Sequence, residues 1–224
     1  MTVMMEVIHT IRPATPRKFA NYVTRYGETA VPMMERSGFD ILGAFKWSTG
    51  EIGRDLLIVR FDSMAHYETA SSQLFKELAK GGLAPLMELG LAIDEQVHFC
   101  SPLPYATEER LQALLSNPPE KPRQYLYARL KVASGDMQNA AKAYEVVGKL
   151  VDEMSGDNVK LATAYATTTG MRGEFADVWA LEDGVGDLAF TTSVPEMPII
   201  DELRQVVDFE ALDFINPLPY SKLQ

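Results

Sequence analysis

A short segment that occurs twice constrains the fold of this chain more than any other feature. The sequence SPLPY at 101–105 returns as NPLPY at 216–220, 115 residues later. Alternating apolar residues precede both copies, as in a β-strand. The prolines would end this strand, because proline has no backbone N–H to donate to a neighbouring strand. Two such exits in one chain indicate an internal repeat.

The remainder of each half supports the repeat. Residues 5–12 match 124–131 at an offset of 119, and residues 50–63 match 170–183 at an offset of 120. Residues 106–122 match neither half, begin with a helical pattern and end in a proline-rich turn, so we interpret them as a linker. The predicted organisation is a first module at 1–105, this linker, and a second module at 123–224.

Each module has the pattern β-α-β-β-α-β. In the first, alternation predicts strands at 5–12, 40–47, 55–61 and 95–100. Thr15-Pro16 and Asp62-Ser63 predict helix starts, and 83–92 predicts a further short helix. Pro32 is expected to kink the first helix or to split off its last turn. This order is ferredoxin-like.

A sheet of this type carries helices on one face, so its other face must be buried elsewhere. We therefore predict an α+β fold of tandem ferredoxin-like modules, whose two antiparallel sheets pack face to face as an α/β barrel.

The first half also resembles a known family. The segments MEVIHTIRPATPRKFANYV at 5–23 and GFDILGAFKWSTGEIGRDLLIVRFDSMAHYE at 38–68 resemble the NIPSNAP family of the dimeric α/β-barrel superfamily. The superfamily includes cofactor-independent monooxygenases, isomerases, lyases and haem-handling proteins. The resemblance therefore implies a small-molecule site between the sheets and leaves its chemistry open.

Composition excludes several function classes. The net charge of -10 disfavours a nucleic-acid partner. The single cysteine, Cys100, allows no intramolecular disulfide. We expect a cytoplasmic protein without a signal peptide or membrane partner, because no apolar stretch reaches the length of a membrane helix. With three His and none of the common metal or nucleotide motifs, we expect no metal and no cofactor. A haem site through one His is the alternative that stays open.

The alternation of side chains along the strands separates residues that would face the helices from residues that would form a site inside the barrel. On strand one the paired positions Val7/Leu126, His9/Ala128 and Ile11/Leu130 are more uniformly apolar, so we assign this face to the helices. The opposite face would then point into the predicted barrel. His98 and Asp213 occupy matching positions in the last strands, which suggests one asymmetric site. The predicted catalytic residues are His98, Arg129, Asp177 and Asp213. The predicted substrate-binding residues are Tyr125, Tyr127, Trp47, Tyr165 and Glu6.

Several of these candidate residues also have a purely structural interpretation. His98 would equally suit a surface strand or a hydrogen-bonded core position, and His9 a structural place under a helix. Arg129 and Asp177 could pair with each other, since a buried charge needs a partner. The tyrosines fit simple packing.

We predict a cofactor-independent enzyme that acts on an apolar, aromatic small molecule by proton transfer, as a lyase or isomerase. One alternative is a cofactor-free monooxygenase of the dimeric α/β-barrel type. The other is a non-enzymatic small-molecule-binding or assembly protein. A homodimer is expected in each case, because the fold exposes sheet edges.

Overall fold

The computed structural model describes residues 2–49, 53–133, 137–154, 158–169, 173–184 and 198–224, apart from the side chains at 137, 209 and 210. The first half contains β1 (Val3–Arg12), α1 (Pro16–Arg36), β2 (Asp40–Trp47), β3 (Arg54–Phe61), α2 (Met64–Ala79), α3 (Ala84–Met87) and β4 (Ala92–Pro102). The second contains α4 (Glu108–Leu115), β5 (Gln124–Val132), α5 (Met137–Glu153), β6 (Val159–Thr167), β7 (Glu174–Leu181), α6 (Pro198–Arg204) and β8 (Val207–Pro217).

The chain forms two compact units that do not follow the halves strictly. Unit 1 comprises Met1–Phe99 and Pro217–Leu223, and unit 2 comprises Cys100–Asn216 and Gln224. The NPLPY motif therefore belongs mostly to unit 1, and the SPLPY motif belongs to unit 2.

Unit 1 has the strand order β4-β1-β3-β2. β1 pairs antiparallel with β3, which pairs antiparallel with β2. The first part of β4 lies beside β1, where Glu95 reaches His9 and His98 reaches Glu6.

Unit 2 has the equivalent order β8-β5-β7-β6, with the end of β4 on the far side of β6. The predicted α+β class and the ferredoxin-like strand order of both repeats are confirmed.

The helix starts follow the local sequence signals. Thr15 caps α1 by accepting a hydrogen bond from the Lys18 backbone N–H at 3.3 Å, with proline at the first helical position. Ser63 caps α2 in the same way through the His66 N–H at 3.1 Å. The helix α1 continues through Pro32 to Arg36, so the predicted loss of its last turn is wrong.

The structure corrects the alignment of the first strands. Ile11 N–H donates to the Gly53 carbonyl, and Val132 N–H donates to the Gly173 carbonyl. The β1 and β5 strands therefore correspond at an offset of 121 instead of the predicted 119. Because the difference is two residues, every side chain keeps its face.

Both cores lie between a sheet and its helices. Val7 and Ile11 pack with Tyr22 and other α1 residues, and His9 bonds Tyr22 as well. In unit 2, Leu126, Ala128 and Leu130 pack with the α5 residues Val146 and Val147. The predicted assignment of this face to the helices is confirmed.

Two boundaries differ from prediction, and one predicted helical pattern is present. The short helix covers only Ala84–Met87, and β4 extends to Ala92–Pro102. The first part of the predicted linker forms α4, which packs through Leu111 and Leu114. Among the described residues, no helix is both long and apolar enough to cross a bilayer.

Candidate functional site

A buried ion pair lies near one end of the β1–β3 pairing in unit 1. His9 on β1 stands opposite Asp55 on β3 in the antiparallel register, and its Nδ1 lies 2.8 Å from Asp55 Oδ1. The two residues are 2% and 0% exposed, so the contact is screened from water. A charged pair at this depth is costly unless its geometry is good.

A second carboxylate occupies the other ring nitrogen. Glu95 on β4 places Oε2 3.2 Å from His9 Nε2. Its side chain is 56% exposed, whereas that of His9 is 3% exposed. The imidazole is therefore held between one fully buried carboxylate and one that reaches solvent.

Three tyrosines surround the pair on the helix side. The Tyr22 hydroxyl lies 3.1 Å from His9 Nδ1. The Tyr26 ring packs 5.3 Å from the imidazole, and the Tyr220 ring packs 6.0 Å from Tyr26, between centroids. These rings exclude water from the Nδ1 side, which leaves Nε2 and Glu95 as the accessible side.

The protonation state follows from these neighbours. Burial opposes the charge of His9, but the adjacent Asp55 and Glu95 carboxylates outweigh it and raise the pKa to about 9. The hydrogen bond from His9 lowers the pKa of Glu95 despite partial burial. Burial, followed by the charge of Asp55, raises the pKa of Tyr22 far above its usual value. At neutral pH the site is an imidazolium between two carboxylates.

This site opens into an apolar cavity of about 530 Å³. A cavity of this size accommodates a small organic ligand. The cavity lies between the helix-facing side of the sheet and helices α1 to α3. Its polar lining residues are His9, Glu95, Tyr26, Tyr67 and Ser71. Its apolar lining includes Met5, Met33, Met34 and Met87, whose flexible side chains adapt to ligand shape.

The rim of the cavity is apolar and exposed. Phe75 and Met87 are 68% and 78% exposed, and Ile93 and Val97 are also exposed. All four line the cavity, and Ile93 and Val97 flank Glu95 on the same side of β4. Apolar side chains at an opening of this type favour entry of an apolar molecule.

Unit 2 shows what the fold looks like without this site. With the offset of 121, His9 corresponds to Leu130, which pairs with Phe175 where His9 pairs with Asp55. Tyr22 and Tyr26 correspond to Ala143 and Val147, both buried in the unit 2 core. The repeat therefore folds around an apolar cluster at the place where unit 1 holds charges.

The predicted site residues fall into several separate contacts. His98 Nδ1 lies 3.1 Å from Glu6 Oε1 in unit 1, so these two predicted residues do meet. They lie on the face of the sheet opposite to His9, as the alternation along β1 and β4 requires.

Two further predicted residues meet in unit 2. Arg129 donates to Asp213 Oδ2 at 3.2 Å, with both side chains partly exposed. The guanidinium carbon of Arg129 lies 6.0 Å from the Tyr127 ring. Asp177, in contrast, accepts a hydrogen bond from the Tyr105 hydroxyl at 2.8 Å and does not pair with Arg129.

The remaining predicted residues have structural contacts. The Tyr125 hydroxyl donates to the Gln224 carbonyl at 3.2 Å, and burial raises its pKa to about 12. Tyr165 is buried on β6, and the Arg54 guanidinium lies 4.5 Å from the Trp47 ring. A catalytic or ligand-binding role for the predicted residues stays a prediction.

Sequence reasoning identified His9 as a helix-facing residue but missed its partners. Asp55 and Glu95 are 46 and 86 residues away in the chain. The available signal was the alternation along β3, which places Asp55 on the same face as Leu57 and Val59, and these two residues pack in the core beneath the helices. In the described part of the chain, no group of three or more His, Cys, Asp or Glu is arranged to hold a metal ion.

Comparison with protein-family models and with curated proteins gives no match. Solved structures do match over most of the chain. A provisionally assigned monooxygenase from Fusobacterium nucleatum has a TM-score of 0.64 at 9% identity, covering 97% of this chain and 93% of that one. A provisionally assigned monooxygenase from Lactobacillus acidophilus has a TM-score of 0.56 at 10% identity, covering 97% and 94%. A haem-binding protein from Thermus thermophilus has a TM-score of 0.52 at 11% identity, covering 96% and 90%.

At such identities the likeness concerns the fold. Membership of the dimeric α/β-barrel superfamily, and of the NIPSNAP family within it, stays a prediction.

Proposed function

We propose that the chain is a cofactor-independent enzyme that binds an apolar, aromatic small molecule in the unit 1 cavity and moves a proton at its His9 end. The observation that supports this most directly is the His9 imidazolium, which is held between Asp55 and Glu95 at the buried end of an apolar cavity. The reaction class remains the predicted one, an isomerase or a lyase.

The two accessible groups have complementary roles. His9 carries a proton on Nε2 at neutral pH and stabilises an oxygen that becomes negative. Glu95 is a carboxylate within reach of the same point and takes a proton from the carbon next to a carbonyl group. The proton then returns to a different carbon in an isomerase. In a lyase, a leaving group departs from the adjacent carbon with the bonding electron pair.

The internal repeat supports a functional reading of the ion pair. Replacing a buried ion pair with well-packed apolar residues is often neutral or stabilising. Unit 2 uses the apolar pair Leu130 and Phe175 at the same place. The fold therefore does not require the charges of unit 1, and proton chemistry gives a reason for their presence.

A hydrogen-exchange assay tests this proposal. The probe is 2-tetralone, an enolisable bicyclic ketone, incubated in D₂O and followed by NMR for deuterium entry at carbon. The wild-type chain is expected to accelerate deuterium entry above the buffer rate. The double variant His9→Leu with Asp55→Phe carries the unit 2 residues and is expected to fold but to lose this acceleration.

A thermal-shift screen of aromatic compounds, with haem included, identifies better probes, because a ligand of the folded state raises the melting temperature. If stabilising ligands are found but none undergoes exchange, the enzyme proposal fails and a binding protein remains. Equal exchange by the double variant would also contradict the role of His9.

A monooxygenase is the second candidate, and the likeness to the Fusobacterium and Lactobacillus proteins favours it. The same proton removal would create a carbanion that reduces molecular oxygen. One oxygen atom would end in a carbonyl group, and the other would leave as water with the two hydrogens of the oxidised carbon. Substrate-dependent oxygen consumption without added cofactor distinguishes this reaction from isomerisation.

The cavity does not fit haem, although one structural neighbour is a haem-binding protein. A histidine ligand must be neutral at the nitrogen that binds iron. His9 is instead protonated, and both its nitrogens bond carboxylates. Among the described residues that line the cavity, Glu95 is the only carboxylate, and no Lys or Arg is present to pair with haem propionates.

We further propose a homodimer, which size-exclusion chromatography with light scattering tests.

A further inference from the structure

The Glu95 carboxylate occupies Nε2, the ring nitrogen of His9 that Asp55 and Tyr22 leave open. His9 Nδ1 is committed to Asp55 and is covered by Tyr22. Nε2 is the nitrogen bonded to Glu95 at 3.2 Å, on the strand that lines the cavity. A ligand oxygen can therefore accept a hydrogen bond from His9 only by replacing Glu95.

We infer that Glu95 is a displaceable internal competitor, and that the cavity selects apolar molecules carrying a single anionic oxygen group, such as an aryl carboxylate or a phenolate. This inference rests on the proposed ligand site in unit 1. It goes beyond it by naming the ligand class and the side chain that the ligand displaces.

The exposure of Glu95 makes displacement feasible. Its side chain is 56% exposed, so the carboxylate can leave His9 and remain hydrated without backbone movement. Asp55 is fully buried and stays with His9. The two carboxylates thus differ in kind, since one is fixed in the core and the other can exchange with water.

Charge accounts for the selectivity. In the ligand-free site, an anionic oxygen already bonds Nε2. An anionic ligand restores this charge arrangement, whereas a neutral carbonyl oxygen is a weaker acceptor than the carboxylate it displaces. The remaining cavity wall is apolar, including Leu57, Leu86 and Phe39, and it suits a ring system without further charges.

The test compares two ligands with the same bicyclic body. The probes are 2-naphthoate, which is anionic, and 2-acetylnaphthalene, which has a neutral carbonyl. We expect the wild-type chain to bind 2-naphthoate about tenfold more tightly, and Glu95→Ala to tighten 2-naphthoate binding by about another tenfold. The variant with His9→Leu and Asp55→Phe is expected to bind both probes equally.

The matched control is Asp94→Ala. Asp94 is the neighbour of Glu95 on β4, is 62% exposed, and contacts Arg12 rather than the cavity. Its removal changes the net charge equally, so a tightening confined to Glu95→Ala supports direct competition. Unchanged or weaker 2-naphthoate binding in Glu95→Ala overturns the inference, and so does an equal gain in Asp94→Ala.

Failure of the proposed function gives a different pattern. If neither probe binds any variant and neither raises the melting temperature, the ligand site in unit 1 is wrong and this inference falls with it. If 2-acetylnaphthalene binds while Glu95→Ala leaves 2-naphthoate affinity unchanged, only the competitor role of Glu95 is refuted.

Discussion

The His9 ion pair should make the stability of unit 1 depend on pH in a narrow and unusual window. The folded-state pKa of His9 is about 9, against an ordinary value of 6.5. A raised pKa means that the folded state holds the proton more tightly than the unfolded chain. The resulting stabilisation is complete below pH 6.5 and is lost as the pH rises to about 9.

The magnitude follows from the same difference. At about 1.4 kcal/mol per pKa unit, His9 contributes about 3 kcal/mol to the free energy of unfolding at acidic pH. This is a large fraction of the total stability of a small protein.

Tryptophan fluorescence allows unit 1 to be followed on its own. The chain has two tryptophans, Trp47 in unit 1 and Trp179 in unit 2. In a Trp179→Phe background, urea unfolding monitored by Trp47 gives the stability of unit 1 between pH 6 and pH 9.5. We expect the free energy of unfolding to fall by about 3 kcal/mol over this range.

Two variants separate His9 from other titrating groups. The double variant His9→Leu with Asp55→Phe should lose the pH dependence, because neither residue can then titrate. His98→Gln should keep it. A flat profile in the parent protein would refute the argument, and so would an unchanged fall in the double variant.

Two further predictions concern the tyrosines of the repeated motif. Gly27→Ala should destabilise the fold by about 1–3 kcal/mol, because its Cβ would lie 2.9 Å from Tyr220 Cδ1. The equivalent Gly148→Ala should be neutral or stabilising by up to about 1 kcal/mol, since its Cβ would lie 3.5 Å from Tyr105 Cβ and alanine favours a helix. Equal effects in chemical denaturation would contradict this comparison. Tyr105→Phe should cost about 2 kcal/mol by removing the 2.8 Å hydrogen bond to buried Asp177, and an unchanged melting temperature would count against it.

Local signals in the sequence were sufficient for the framework of the fold. The Thr15-Pro16 start of α1, the strand at 40–47 and the repeated proline motif each depend on neighbouring residues, and each was predicted correctly. The alternation along β1 gave the correct face for His9, because successive side chains of a strand point to opposite faces of the sheet. The predicted alignment of β1 with β5 was two residues off. At an offset of 119 or of 121 the apolar faces of the two strands coincide, so the pattern alone does not distinguish the two alignments.

The site was harder to predict because its contacts are distant in sequence. His9 acquires its charge from Asp55 and Glu95, which lie on two different strands. An apolar position next to a helix suggested a structural histidine, and nothing local distinguishes that from a buried ion pair. The cavity depends on how α1, α2 and α3 cover the sheet, which alternation and capping signals do not determine.

The assignment of each proline motif to a unit has a consequence for fragments of this chain. Unit 1 includes Pro217–Leu223, whereas the SPLPY motif of the first half belongs to unit 2. A chain cut within 106–122 would give two pieces, each lacking the tyrosine that packs beside its own helical glycine. Each piece carries the motif that the other needs, so we expect complementation when they are mixed.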